Sequence, residues 1–481
     1  MDTDVTSPAS VPPGTRSPAE AEPLDRRLLA TALVVVLGMA MTGLDMTAVN
    51  VALQRLSADF DAPLTTVQWV ATAYTLALAA VVPVSAWAIA RFGTRRLYFV
   101  SVGAFLAGSV LCGLAWSVES LIAFRAVQGI GGGMILPVGM TIMTRRAGGQ
   151  VPRIMAVVGV PMQMGPVLGP LVGGWLVDAA SWRWIFYLNL PFAALALLLA
   201  SRLLDHGDAQ PGKPLDVVGL VLLSPGLSAL LYGLTTGAHR GDFGSLSAAL
   251  PTGVGAALAA AFVVHALRAR HPLIDLRLLR RPSVRASGGA LVLFMCGFFG
   301  MLLLAPLYFQ TVRGESAMAT GLLMLPQGVG AMGTMPVCGR LLPRVGPRRL
   351  LLSGLSLSAV GLGTFALQVG AGADASAWGL GTSLLATGMG VGLTMMPTMS
   401  SAVSGLPPEE IPAASTLLAI TQEMGASIGT AFLSLVLARS LDGRAAADAP
   451  EAFQVGYAAG IVILLLAMVP AARVARSLTP G

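Results

Sequence analysis

Arg91-Phe-Gly93-Thr-Arg95-Arg96-Leu97 and Arg344-Val-Gly346-Pro-Arg348-Arg349-Leu350 are one short basic turn written twice, 253 residues apart. The match extends upstream, where Pro83 falls on Pro336 at the same offset. Each copy joins two long apolar segments, the second and third of a block of six. A chain that repeats a turn at this distance, inside apolar surroundings, is built from two like halves.

The bulk composition sets the solvent. Of 481 residues 55% are hydrophobic and 11% charged, and the mean hydropathy is +0.76. Soluble domains carry about 25% charged residues, so this is a polytopic membrane protein. Fourteen apolar segments are long enough to cross hydrocarbon, which takes about 20 residues each. They fall near 28–53, 65–90, 97–115, 119–144, 154–178, 182–201, 216–236, 249–267, 285–309, 317–341, 349–368, 378–403, 413–438 and 455–473. The expected fold is an all-α membrane protein of 14 helices, two six-helix pseudo-repeats plus two central extra helices. In residues, 1–24 form a disordered tail, 25–204 the first half, 205–270 the extra pair, 271–475 the second half and 476–481 a short tail. Repeated halves with a site at their interface mark secondary transporters.

The formal net charge of +7 is a matter of topology. With the amino terminus inside, 23 of the 30 basic residues face the cytoplasm, six face the other side, and Arg125 lies within a span. That asymmetry follows the positive-inside rule and puts both termini in the cytoplasm; nucleic acid is not implied. The basic residues are nearly all Arg, with Lys213 as the exception, which together with abundant Ala and Gly suggests a GC-rich bacterial genome. Cys112, Cys296 and Cys338 are scattered, and no metal site or disulfide framework is indicated.

One span is unusual. Gly159 to Gly174 holds five glycines and three prolines in sixteen residues. These residues weaken a helix, so the segment persists only where neighbours approach its bare backbone and satisfy its carbonyls. Gly165, Gly169 and Gly173, at four-residue spacing, share a face. The stretch is either an ordinary small-residue packing face or part of a transport mechanism.

Ionisable groups inside the hydrocarbon default to functional hypotheses. Asp45, in Leu44-Asp-Met-Thr47-Ala-Val-Asn50, can bind and release a proton near neutral pH, or stay permanently paired with an arginine. Arg125, in the fourth span with Gln128, keeps its charge at any relevant pH; it couples to a neighbouring carboxyl or is simply a hydrogen-bonded structural arginine. Glu423, beside Gln422 in the thirteenth span, either sits in a cavity, where it attracts a cationic cargo or takes a second proton, or is hydrated near the cytoplasmic end. Candidate cavity residues are Thr47, Asn50, Gln68, Trp69, Tyr74, Gln128, Gln163, Gln422 and Glu423; the aromatic ones serve equally as packing. No phosphate-binding loop and no nucleophile–base set is present, which argues against an ATPase or other enzyme.

These stretches resemble the major facilitator superfamily, in its 14-spanning drug:proton antiporter branch. Gly159, Gly165, Pro166, Gly169, Pro170, Gly173 and Gly174 match that family's fifth-helix antiporter motif, which implies a seal against proton leak. The segment with Arg125, Gln128, Gly129, Gly131 and Gly133 is similar to the fourth-helix motif linked to proton transfer. Leu44 to Leu53 matches the first-helix motif, with Gln54 where proline is usual, and Trp182 to Pro191 is also typical of the branch.

The resemblance implies a proton-coupled exporter of hydrophobic or amphipathic drugs, antibiotics or secondary metabolites, in a bacterial inner membrane. Asp45, Arg125 and Glu423 would serve proton coupling. Its partners would be a small amphipathic substrate, protons and the lipid bilayer, with no cofactor and no obligate protein partner. An uptake symporter shares the fold and is the rival reading; a membrane-embedded enzyme ranks below it. The cytoplasmic gate loop keeps Arg91, Gly93, Arg95 and Arg96 but has Ala86 and Ala90 in place of the family's glycine and acid, and Pro343 replaces the acid in the second copy. The gate is therefore expected to be weaker, or latched by other residues.

Overall fold

The computed structural model describes residues 26–147, 165, 168–169, 171–177, 179–205, 214–240, 242–407, 410–441 and 449–474. The chain is a helical bundle. In the first half, α1 is Arg26–Asp59 and α2 spans Trp69–Phe92, while α3 is Thr94–Gly113 and α4 is Val118–Ala147. The fifth segment, α5, is helical where it is described, at 165, 168–169, 171–177 and 179, and α6 spans Arg183–Leu203. The extra pair is α7 (Val217–Arg240) and α8 (Leu246–Arg268). The second half holds α9 (Pro282–Thr311), α10 (Ala317–Val345), α11 (Pro347–Val369), α12 (Ala377–Val403), α13 (Ile411–Leu441) and α14 (Ala449–Ala471).

Among the described residues, twelve of these helices are long and apolar enough to cross a membrane. α10 has the length, but Gln327, Thr334, Arg340 and Arg344 dilute its apolar run. Within the first span pair, Pro83 tightens α2 into a 3-10 turn over Val82–Val84, because proline lacks the donor that a continuing α-helix needs.

The repeat in sequence is a repeat in packing. α1 touches α4 and α6, α2 touches α4, and α3 touches α4 and α6; α9 to α14 pair in the same pattern, member for member. Gly93 (φ +79°, ψ 157°) and Gly346 (φ +84°, ψ 154°) bend the two basic turns alike. That backbone region is essentially closed to residues with a side chain, which explains a glycine in both copies.

The halves meet on the face that carries these turns, called the basic face below. One hydrophobic cluster there joins Ala88, Ile89 and Leu97 of the first half to Cys338, Leu342, Leu350 and Met396 of the second. Ser85 and Thr416 add a hydrogen bond across the seam, Oγ to Oγ1 at 2.9 Å. At the opposite face, the cluster around Val49, Val70, Leu121 and Trp182 is drawn from the first half alone. The positions expected to hold latch acids, Ala90 and Pro343, are thus bypassed by an apolar seam. α7 lies along the same seam, in contact with α2 and α13, and α8 packs outside α7.

Candidate functional site

Asp45 lies mid-way along α1, where hydrocarbon surrounds the bundle, and its side chain is fully enclosed. A carboxylate there survives only if its charge and lone pairs are met. Arg125 Nη1 of α4 donates to Oδ2 at 2.5 Å. Gln128 Nε2, one turn along α4, donates to Oδ1 at 2.9 Å, and Asn189 Nδ2 of α6 donates to the same oxygen at 3.0 Å. Every partner of Asp45 is a donor, so the cluster is balanced with the carboxylate ionised.

Arg125 is equally well held. Its Nη1 also reaches Gln128 Oε1 at 2.8 Å, and its Nε donates to the Val70 carbonyl at 3.1 Å. The Tyr74 ring lies 4.1 Å from the guanidinium carbon, a cation–π contact. Ser109 of α3 accepts from Gln128 and Asn189 and donates to the Phe186 carbonyl at 2.9 Å. Five helices of one half therefore meet at a single charge pair. Asn189 and Ser109 were not singled out as coupling residues from sequence; the signal was Asn189 standing alone among apolar neighbours.

The Gly/Pro segment presses against the helix that carries Asp45. A Cβ on Gly165 would lie 2.7 Å from Gly43 Cα, one on Gly169 would run into Thr47 Oγ1, and one on Gly173 would lie 2.9 Å from Ala48 Cα. Thr47 Oγ1 donates to the Gly165 carbonyl at 2.8 Å, satisfying backbone within the glycine-rich stretch. Gly174 faces away, with Val51 Cγ1 at an ordinary 3.7 Å. Gly159, Gln163, Pro166 and Pro170 lie outside the described residues.

The remaining candidates divide between the hub and its surroundings. Trp69 stacks on Tyr232 of α7 at 5.3 Å between ring centroids, which places it at the seam with the extra pair. Gln68 gives its carbonyl to Thr72. Tyr74 is buried, and its hydroxyl has no partner among the described residues. The side chain of Asn50 lies outside the described residues. Gln422 and Glu423 are half-buried on α13, and Glu423 lies within electrostatic reach of the Tyr74 hydroxyl, which belongs to the Asp45 hub. In the gate loop Arg95 donates to the Ser201 carbonyl at 3.0 Å, and Arg91 and Arg96 are exposed. Among the described residues no three of His, Cys, Asp or Glu gather as a metal-binding group.

The pseudo-symmetry shows what the second half does with the same location. Close approaches recur between the halves, with the contacted residues 253 apart and the glycines 259 apart in the fourth helix of each half and 264 in the fifth: Gly131 on the Ser101 carbonyl and Gly390 on that of Gly354, Gly133 on Leu78 and Gly392 on Ala331, Gly165 on Gly43 and Gly429 on Cys296. By this register Phe298, Gln327 and Leu362 stand where Asp45, Tyr74 and Ser109 stand, and Leu384 and Thr387 replace Arg125 and Gln128. All five line one narrow cleft, with the buried Tyr457 hydroxyl beside them and without a partner among the described residues. The first half fills this place with charge; the second leaves an uncharged cleft with Gln327 and Thr387 among its otherwise largely apolar walls.

Two pseudo-symmetric six-helix halves, meeting at one face and spanning the membrane, define a secondary-transporter fold. The chain belongs to the Major Facilitator Superfamily, whose family model matches residues 35–430. It is 45% identical to the multidrug resistance protein B homolog of Mycobacterium tuberculosis over 416 residues, 86% of this chain and 77% of that one. It is 31% identical to the putative multidrug resistance protein MdtD of Cronobacter sakazakii, over 92% of this chain and 93% of that one. Among solved structures it is similar to the human organic anion transporter MFSD10 (TM-score 0.64, 15% identity, 94% of this chain and 100% of that one). It is also similar to the proton:xylose symporter XylE (TM-score 0.60, 15% identity, 92% and 95%). At that identity the likeness is one of fold.

Proposed function

We propose that this chain is a proton-coupled antiporter that exports hydrophobic or amphipathic compounds from a bacterial cell by alternating access. The observation that carries the reading is the Asp45–Arg125 pair, sealed within one half, with every partner of the carboxylate a donor. Protonating Asp45 removes the charge that Arg125 needs. Leaving one partner of a buried pair uncompensated costs about 3–5 kcal/mol, close to the roughly 5.5 kcal/mol that reverses a 1:99 equilibrium. α1 seats α5 through Thr47 and Gly165, and α4 touches α13 of the other half. A change at the hub is thereby transmitted to the seam.

With the basic face read as cytoplasmic, the present conformation is closed inward by the Ser85–Thr416 bond and the apolar seam. The membrane potential supplies about 2.3 kcal/mol per proton charge per 100 mV. The similarity to multidrug resistance proteins supports a drug-like cargo, and the uncharged cleft of the second half offers apolar walls to it. Glu423 has no hydrogen-bond or ion-pair partner among the described residues, so it is the acid left for a cationic group of the cargo or a second proton.

The test is transport in inverted membrane vesicles carrying a preformed pH gradient. Adding an amphipathic dye should dissipate the gradient with the native chain and fail to do so with Asp45→Asn. A gradient untouched by a panel of dyes and antibiotics, or an Asp45→Asn protein that still dissipates it, overturns the proposal.

A further inference from the structure

The segment joining α8 to α9 is tied down from within and edged with arginine. Leu273, Ile274 and Leu278 are buried beneath it, and Leu276–Arg280 forms a 3-10 turn. Asp216, just before α7, accepts from the Leu273 amide at 3.0 Å and pairs with His265 Nε2 of α8 at 2.8 Å. Arg277 Nη2 donates to the Ala269 carbonyl at 2.9 Å and that of Leu267 at 3.3 Å, closing the end of α8. Asp275 accepts from the Arg277 amide, and Glu410 pairs with Arg281 at 3.1 Å.

Every acid described along this shelf is therefore engaged. Four arginines are left over: Arg268, Arg270, Arg280 and Arg285 are exposed, and their side chains have no hydrogen-bond or ion-pair partner among the described residues. Beside them stands α8, the least enclosed of the described apolar spans, with Val263, Val264 and Leu267 turned outward next to Arg268. A helix so exposed runs against lipid, and its last turn emerges at headgroup level. The positive-inside rule accounts for arginines on this side; it does not require a linker pinned so that four of them stay open.

We propose that this shelf binds the phosphate headgroup of an anionic phospholipid of the surrounding bilayer. Guanidinium groups match phosphate oxygens in paired hydrogen bonds, and clusters of four or more basic residues at a membrane-helix end recognise anionic headgroups. The site is separate from the Asp45 hub and does not depend on the transport reading.

The full chain, purified in neutral detergent and stripped of lipid, is titrated with phosphatidylglycerol, phosphatidylcholine and inorganic phosphate; bound lipid is counted by native mass spectrometry. Phosphatidylglycerol should be retained and the other two not. Each arginine removed should weaken its binding about fivefold, so R268Q/R270Q/R280Q/R285Q should retain none, whereas R145Q/R202Q on the same face should bind normally. If the fourfold variant does not fold, R280Q/R285Q should still show binding weakened roughly 25-fold. Equal retention of phosphatidylcholine, occupancy by inorganic phosphate alone, or unchanged binding in the arginine variants each overturns the proposal.

Discussion

Arg125 Nη1 and Asp45 Oδ2 stand 2.5 Å apart with 1% and 0% of their side chains exposed, although the two residues are 80 positions apart in the chain. Both belong to the first half, and so do all of their hydrogen-bond partners. On the proposed mechanism the proton-binding step is thus local to one half, and its effect on the other must pass through helix contacts. The routes on hand are α1 to α5 and α4 to α13.

Asp45→Asn should leave Arg125 buried and unpaired, destabilising the protein by about 3–5 kcal/mol and abolishing proton-coupled export. Adding Arg125→Gln removes the orphaned charge, so the double variant should regain most of its thermal stability without regaining export. Melting midpoints and gradient dissipation, measured on the same preparations, separate the two effects. A double variant that remains as unstable as Asp45→Asn would show that the pair is not the dominant interaction of the hub.

Gly169→Leu should block transport, because Thr47 Oγ1 already occupies the space where any Cβ would go. Gly174→Ala should be tolerated, since its Cβ would make only van der Waals contact with Val51. Both proteins are expected to reach the membrane, which surface labelling can check. Equal transport by the two would mean that the α1–α5 contact is not part of the mechanism.

Phe298→Asp and Leu384→Arg place the first half's charges at their counterparts in the second. Either alone buries an unpaired charge and should destabilise by several kcal/mol. Together they should recover part of that loss, by about 1–3 kcal/mol in a double-mutant cycle. A coupling of zero would mean that the two cleft positions do not face each other as Asp45 and Arg125 do.

Asp216→Ala should release the linker before α9 and cost about 1–3 kcal/mol of stability. Burial acts against the Asp216 charge, but the Gly219 and Leu273 amides and the His265 ring outweigh it and hold the carboxyl below its usual pKa of 3.8. A lowered pKa contributes stability that is complete above the unfolded value and is lost as pH falls through the folded one. The difference in melting midpoint between native and variant protein should therefore be constant above about pH 5 and close below about pH 4. A gap that instead widens in acid would contradict the assignment.

Hydropathy, loop charge and the repeated basic turn are local or one-dimensional properties, and the sequence by itself determined what depends on them: the apolar spans, two like halves, an added pair between them, and Asp45 and Arg125 as charges stranded among apolar residues. Which side chains meet depends on how each helix is rotated and seated against its neighbours, and no spacing along one helix records that. Only the tertiary structure decided that Asp45 and Arg125 face each other, that Asn189 and Ser109 complete their hydrogen bonding, and that Trp69 turns to α7. It also decided that an apolar seam closes the basic face without the expected acids. The same packing turned Gly165 and Gly169 from a pattern into a contact: glycine is required there because Gly43 and Thr47 leave no room for a side chain.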